Sequence, residues 1–531
     1  IRQLLYGKQY YKDVFDVDSE VLWLPDTFGY TGALPQILKG CKVNYLVTQK
    51  IFWSYNEGEQ FPYHYFNWEG IDGSSIVSFL PTSYTYKTNP KQLEEVWKNR
   101  SQLQDLDAFL LPFGYGDGGG GPQFEMIEAA RRLQDLEGCP KVEYTSADAF
   151  VQKLEAAAPT LPVYDGELYL ELHRGTLTAK QQIKKNNRMA ENLLRMLELC
   201  LTRSAVATHT PADGTALRPL WNTLLVNQFH DILPGSCIAA ANDRSLHDMA
   251  EMLHTGSELL RSWFAPAQNC YTVLNPLDEP CRDVFYLPQI ASGFIAQEPG
   301  VTLQNVVLAD GTAATAVYGL ERPALGAAVL HFVPGEQPAQ TSRFVYDGKT
   351  LTTPLLQVQL DELGRITSLV TRADGMQWAD GPMNTLLMAE DVSAGWDGWD
   401  IDADCMMKLQ PAARLTKQTV TADGPQEFRL HSRYDLGAAS CLEQDMIFRA
   451  NSTLIEWQTV LHWHEKHRVL KVSFPTNLRA KNARHEIQFG CIERPTTSNN
   501  VIEQAMFERC NHRYTDLSEP GRGLSIFNDC K

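Results

Sequence analysis

The sequence predicts a multidomain chain, α/β then α then β, and three changes in hydrophobic spacing predict it. Short apolar runs alternate with helical patterns over residues 1 to about 155, long helical stripes occupy about 170 to 265, and period-two alternation follows Asn269. A chain of 531 residues is too long for one ordinary core and long enough for about three domains.

In the first part, Val21 to Leu24 is a strand-like run ending at Pro25-Asp26, and Leu34 to Lys39 is a helical stretch. Val43 to Val47, Ser75 to Leu80 and Ala108 to Phe113 repeat the short apolar run, and a Gly-rich loop leads into a helix over Pro122 to Leu136. Strand, loop and helix in repetition predict a parallel α/β domain, whose reactive residues belong on the loops after the strands. Asp26 and Asp117 fall on such loops.

Lys180 to Thr202, a stripe of Leu217, Leu220, Trp221, Leu224 and Leu225, and Asp243 to Phe264 predict three packed helices. In the last part Leu356, Val358 and Leu360 alternate before a turn over Asp361 to Gly364. Ile455, Trp457, Thr459, Leu461 and Trp463 alternate likewise, which predicts a large β-sandwich region. The expected boundaries are 1–160, 161–266 and 267–531.

Composition narrows the partners. The net charge of −17 repels phosphate backbones and anionic lipid, and no basic stripe overrides it, so neither nucleic acid nor membrane is expected. No apolar run reaches the 18 residues of a membrane span. Eleven cysteines without CxxC pairs point to reduced thiols and a cytoplasmic setting.

Three segments carry candidate chemistry. In Trp23-Leu24-Pro25-Asp26-Thr27-Phe28-Gly29-Tyr30 a carboxylate follows a strand with an aromatic ring two residues on. That pairing suits a sugar, whose C–H face packs on the ring; the competing reading makes Asp26 a helix N-cap. The loop Phe113-Gly114-Tyr115-Gly116-Asp117-Gly118-Gly119-Gly120-Gly121-Pro122 contains GxGxxG at Gly114, Gly116 and Gly119, the fingerprint of a dinucleotide-binding oxidoreductase. Asp117 would set a carboxylate against a pyrophosphate, and Asp148 is poorly placed for a ribose. The glycines otherwise bring substrate close to an acid, or form a plain turn. In Asn227-Gln228-Phe229-His230-Asp231-Ile232-Leu233-Pro234-Gly235, His230 lies about 220° around the helix from Leu217, off the apolar stripe. It is either a metal ligand or a surface histidine. His462, His464 and His467 form a competing metal candidate.

Taken together these segments resemble the α-mannosidases of glycoside hydrolase family 38, in its cytosolic and bacterial branch. Trp23 to Tyr30 is similar to that branch's nucleophile segment and Asn227 to Ser236 to its metal-ligand segment. Further similar stretches are Gly116-Asp117-Gly118, Glu171 to Thr176, Trp396-Asp397-Gly398-Trp399-Asp400 and Phe489 to Thr496.

The resemblance implies an N-terminal (β/α) barrel, a three-helix bundle and C-terminal β-sandwich domains. It implies one zinc ion held by Asp26 and His230, with two further ligands from a His-x-Asp motif on the first barrel strand. No such motif precedes Asp26, so the sequence is expected to begin after that strand, with both ends cut and the barrel incomplete. It implies Asp26 as nucleophile and Asp117 as general acid, although relatives with a double-Asp loop use the second position, here Gly118. Phe28 and Trp53 would wall the sugar, Lys50 would stand where relatives place an arginine, and Asp231 would accept hydroxyl hydrogen bonds. Trp396, Asp397 and Asp400 would reach the substrate from the β half. The expected partners are a mannose-containing oligosaccharide and further copies of the chain. A carbohydrate-binding protein without turnover is the non-catalytic alternative.

Overall fold

The computed structural model describes residues 1–53, 61–102, 105–264, 267–337 and 340–529. It opens with a helix the sequence pattern did not signal, α1 (Arg2–Phe15), which ends at Asp16 in a left-handed conformation. Five strands then form one sheet: β1 (Val21–Leu24), β2 (Tyr45–Thr48), β3 (Tyr65–Glu69), β4 (Ser75–Phe79) and β5 (Val163–Asp165). The order is β1-β2-β4-β3-β5. Helix α2 (Leu34–Gly40) links β1 to β2, and α3 (Pro90–Asn99), α4 (Phe124–Arg132) and α5 (Ala147–Ala157) lie between β4 and β5.

Among the described residues the sheet is open, with β1 and β5 at its edges. Two expectations need correction. The sheet is not wholly parallel: β3 and β4 form an antiparallel hairpin, turned where Gly73 N–H donates to Gly70 O. Ala108 to Phe113 is not a strand either. Its side chains pack on the Val47, Tyr65 and Phe79 core, and Tyr65 OH donates to Ala108 O at 2.7 Å. Among the described residues the segment's one ladder contact is the Phe113–Tyr86 bridge.

The helical part is α6 (Gln181–Thr208), α7 (Leu217–Asn227) and α8 (Ala239–Ser262). Leu217, Leu220 and Leu224 of the expected stripe are buried against Leu194, Leu197, Met249 and Met252, with Trp221 packed at the rim. Burial of such side chains contributes about 1.5–3 kcal/mol each, and this makes the three helices one unit.

The rest is β-rich. The alternation at Leu356, Val358 and Leu360 is realised, with these residues buried and Gln357 and Gln359 exposed. Together with Leu351 and Ile366 they face Phe428, Leu430, Met446 and Phe448 of a second four-stranded sheet. Along Ile455–His462 only Ile455 and Trp457 pack on that core, whereas Leu461 is exposed. A separate core around Leu303, Val317, Leu330 and Phe332 joins two three-stranded sheets.

Polar ties cross the seams. Arg494 Nε and Nη2 each lie 2.6 Å from a Glu167 carboxylate oxygen, which fastens the β half to the end of the α/β part. Arg174 Nη2 donates to Ala505 O at 2.7 Å.

Candidate active site

The site forms at the C-terminal edge of the first sheet, where open α/β folds collect ligands. β1 and β2 run parallel with Val21 beside Tyr45 and Leu24 beside Thr48. Continuing that register two residues past the ladder sets Asp26 beside Lys50. Lys50 Nζ lies 2.5 Å from Asp26 Oδ1, and Lys50 itself is buried. Tyr30 OH donates to Leu24 O at 2.7 Å and meets Thr48 Oγ1 at 2.7 Å, tying the two strand ends together. Gly29 (φ 99°) presses against residue 168; a Cβ there would stand 2.9 Å from Leu168 O. The N-cap of α2 is Ala33, so the capping reading of Asp26 falls.

His230 arrives from the other side. α7 ends at Asn227, and a series of turns carries His230 and Asp231 beyond it. His230 Nε2 lies 3.5 Å from Asp26 Oδ2 and 4.0 Å from Asp231 Oδ2. Asp231 Oδ1 accepts from Ser236 Oγ at 2.9 Å, which holds its carboxylate. The two Asp26 oxygens are thus divided, Oδ1 to the ammonium and Oδ2 to the imidazole.

Aromatic rings surround this centre. Phe28 stands edge-on to His230 at 6.3 Å and to His173 at 4.9 Å. Lys50 Nζ sits 3.7 Å over the Trp53 ring, a cation–π contact. Trp396 reaches in from the β half, 5.6 Å from Trp53 and 5.7 Å from His173. The Trp396 backbone is left-handed at φ 59°, and its ring is about half exposed. Asp400 does not face the site. It is buried, and its Oδ1 accepts from Arg174 N at 2.8 Å and Ile401 N at 3.0 Å, so it anchors the Trp396 loop. Asp397 is exposed.

Asp117 lies on a 3-10 turn, Gly116–Gly118, and accepts from Tyr84 OH at 3.0 Å. Burial first, and then the charges of Asp26 and Asp117, push the Tyr84 phenol well above its ordinary range, so it stays protonated and donates to Asp117. No strand precedes the glycine loop and α4 begins only at Phe124, so the dinucleotide fingerprint lacks its strand–turn–helix setting.

Sequence reasoning missed Tyr84 and His173 as site residues. Tyr84 follows β4, the next strand parallel to β2, and only that placement could have marked it. His173 was noted within a family-like stretch without a role. It is buried, its Nδ1 has no hydrogen-bond partner, and burial, then the Lys50 charge, push it down to about 4.

A zinc ion can be tested against the donors. Two ligands of one tetrahedral zinc at about 2.0–2.2 Å lie roughly 3.3 Å apart, and Asp26 and His230 present one oxygen and one nitrogen at 3.5 Å. Among the described residues, Asp26 and His230 therefore have a spacing that fits two of four ligand positions. Among the described residues the one group of three potential ligands is His247, Asp248 and Glu251 on α8, where Arg244 already grips Asp248. The His462, His464 and His467 candidate forms no such group.

Comparison with known proteins gives the class. Residues 1–167 match the glycosyl hydrolases family 38 N-terminal domain, 171–265 the alpha mannosidase middle domain and 351–531 the family 38 C-terminal domain. The chain belongs to glycoside hydrolase family 38. It is 34% identical to human alpha-mannosidase 2C1 and 31% identical to alpha-mannosidase G of Dictyostelium discoideum, covering 100% of this chain but 51% and 53% of theirs. The chain thus spans about half the length of the curated relatives it matches. An alpha-mannosidase from Enterococcus faecalis V583 shares the fold, with a TM-score of 0.79 at 13% identity over 99% of this chain and 70% of that one. Among the described residues no helix is long and apolar enough to cross a membrane.

Proposed function

We propose that the protein this chain belongs to is a zinc-dependent retaining exo-α-mannosidase that removes terminal α-linked mannose from oligosaccharides. The observation that carries this reading is the division of the Asp26 carboxylate between Lys50 at 2.5 Å and His230 at 3.5 Å. An ionised, charge-balanced carboxylate at a strand end, walled by aromatic rings, suits attack on an anomeric carbon.

In this reading Asp26 attacks C1 of the terminal mannose and forms a glycosyl ester, while Asp117 gives its proton to the departing oxygen. Asp117 then takes a proton from the water that attacks C1, and Asp26 leaves with retention. Lys50 balances the Asp26 charge, Phe28 and Trp53 pack on the sugar's C–H face, and Asp231 accepts hydroxyl hydrogen bonds. Trp396 borders the substrate from the β half, and Asp397 belongs to the same exposed loop. Asp26 and His230 would hold the zinc with ligands from elsewhere in the full-length protein. When bound, that ion would supply Lewis-acid polarisation of the substrate's hydroxyls. A reducing, cytoplasmic setting accompanies the reading, supported by the free thiols of the described cysteines.

The test is stereochemical. Full-length protein given an aryl α-mannoside is expected to release α-mannose first, as followed by NMR; a β-configured first product overturns the retaining mechanism.

A further inference from the structure

The aromatic rings beside Asp26 form a closed circuit that passes through His173. From Asp26 Oδ2 the path runs to His230 Nε2 at 3.5 Å, and from the His230 ring to Phe28 at 6.3 Å. Phe28 leads to His173 at 4.9 Å, and His173 to Trp53 at 6.4 Å. Lys50 Nζ, 3.7 Å over the Trp53 ring and 2.5 Å from Asp26 Oδ1, closes it. Trp396 of the β half adds a second link, 5.7 Å from His173 and 5.6 Å from Trp53. Among the ring–ring contacts of the described residues, Phe28 reaches Trp53 and Trp396 only through His173.

His173 is held in that place from both sides. Its backbone is left-handed at φ 60°, a conformation that a residue with a Cβ keeps only where surrounding contacts enforce it. Those contacts come from the β half: Arg174 N donates to Asp400 Oδ1 at 2.8 Å, and Thr176 N to Trp399 O at 3.1 Å. Between them Gly175 packs so closely that a Cβ there would stand 3.0 Å from Trp399 O. The turn after His173 and the loop carrying Trp396 are thereby joined. The buried imidazole meets Phe28, Trp53 and Trp396 at 80°, 69° and 73°, the edge-to-face arrangement that aromatic pairs prefer. Its Nδ1 has no hydrogen-bond partner, so that side of the ring is held by packing and not by a polar contact.

We propose that His173 is a positioning residue for the aromatic wall: its ring sets where Phe28, Trp53 and Trp396 stand, and through them how tightly the terminal sugar is held. The inference rests on reading Phe28 and Trp53 as rings that pack on the mannose. His173 itself takes no part in the proton transfers.

The experiment uses full-length protein and an aryl α-mannoside. Rings that pack on the sugar stabilise ground and transition state alike, so displacing them raises KM and leaves kcat nearly unchanged. His173→Ala is expected to raise KM about ten-fold, with kcat within about three-fold of the wild type's. A purely structural loss does the reverse, lowering the folded fraction, and kcat with it, at constant KM. His173→Phe keeps a ring and is expected to restore KM; His173→Asn keeps a polar group without the ring and is not. The place of Trp396 is read separately, as the difference in acrylamide quenching between each protein and its Trp396→Phe counterpart. That difference is expected to rise in His173→Ala and to return in His173→Phe. An unchanged KM in His173→Ala, or a KM restored by Asn and not by Phe, overturns the inference. Should His173→Ala not fold, the Phe and Asn variants decide by the same rule. Wild-type protein that cleaves no α-mannoside removes the mannosidase reading, whereas Trp396 quenching unchanged in His173→Ala removes the positioning role whether or not mannosides are cleaved.

Discussion

Asp26 Oδ2 and His230 Nε2 lie 3.5 Å apart although one belongs to the open sheet and the other follows the second helix of the bundle. Nothing local brings them together. Their approach depends on the docking of the two domains, and it leaves room for a shared cation. His230→Ala in the full-length protein is expected to lose most bound zinc and more than about 10²-fold in kcat, since a metal's charge stabilisation is worth several kcal/mol. Elemental analysis of the purified variant checks it; full zinc occupancy removes His230 from the ligand set.

Asp26 and Asp117 should separate kinetically. Asp26→Ala is expected to nearly abolish turnover of every mannoside. Asp117→Ala is expected to cost about 10²- to 10⁴-fold on substrates with poor leaving groups and far less on the first step with activated ones. A series of aryl mannosides measures this, and equal losses across the series would show that Asp117 does not protonate the leaving oxygen.

What the sequence made legible was periodic or register-bound. The stripe of Leu217, Leu220 and Leu224 and the alternation at Leu356, Val358 and Leu360 each require one buried face, so both survive in the structure. The pairing of Asp26 with Lys50 follows from β1–β2 register, but their spacing becomes informative only once the two strands are known to be parallel neighbours. Tyr84 and His173 were hidden because their importance comes from tertiary approach. The β3–β4 hairpin was hidden because two short buried strands read alike whether parallel or antiparallel. Ala108 to Phe113 misled because an apolar run records burial, not ladder pairing.

The Arg494–Glu167 pair should behave as a buried clamp. The side chains are 5% and 14% exposed, and Arg494 Nη1 also donates to Cys510 O at 2.9 Å. Arg494→Met leaves Glu167 without its partner and is expected to cost about 3–5 kcal/mol in urea unfolding. Adding Glu167→Leu should recover most of that loss, because no uncompensated charge then remains. A double variant as unstable as the single one would mean that packing, not charge, accounts for the effect.

Acid should destabilise the fold through its buried histidines. Burial, then the charges of Arg494 and Arg509, push His485 from 6.5 down to about 4; His512 and His173 are pushed down to about 4 as well, burial again being the main cause. A histidine whose folded value lies below its unfolded one resists protonation in the native state, so the unfolded chain takes up the proton first as pH falls. The stability tied to His485 is therefore complete above pH 6.5, declines between 6.5 and about 4, and levels off below that. The limit is about 3.5 kcal/mol for this residue, from roughly 1.4 kcal/mol per pH unit. His485→Asn keeps an acceptor or donor near Thr515 Oγ1, which the native Nδ1 meets at 3.0 Å, and removes the titrating group. Its unfolding free energy, measured by urea titration from pH 7 to pH 4, should fall less steeply than the wild type's by about one proton's worth of slope. An identical slope in the two proteins would show that His485 does not contribute to the acid lability.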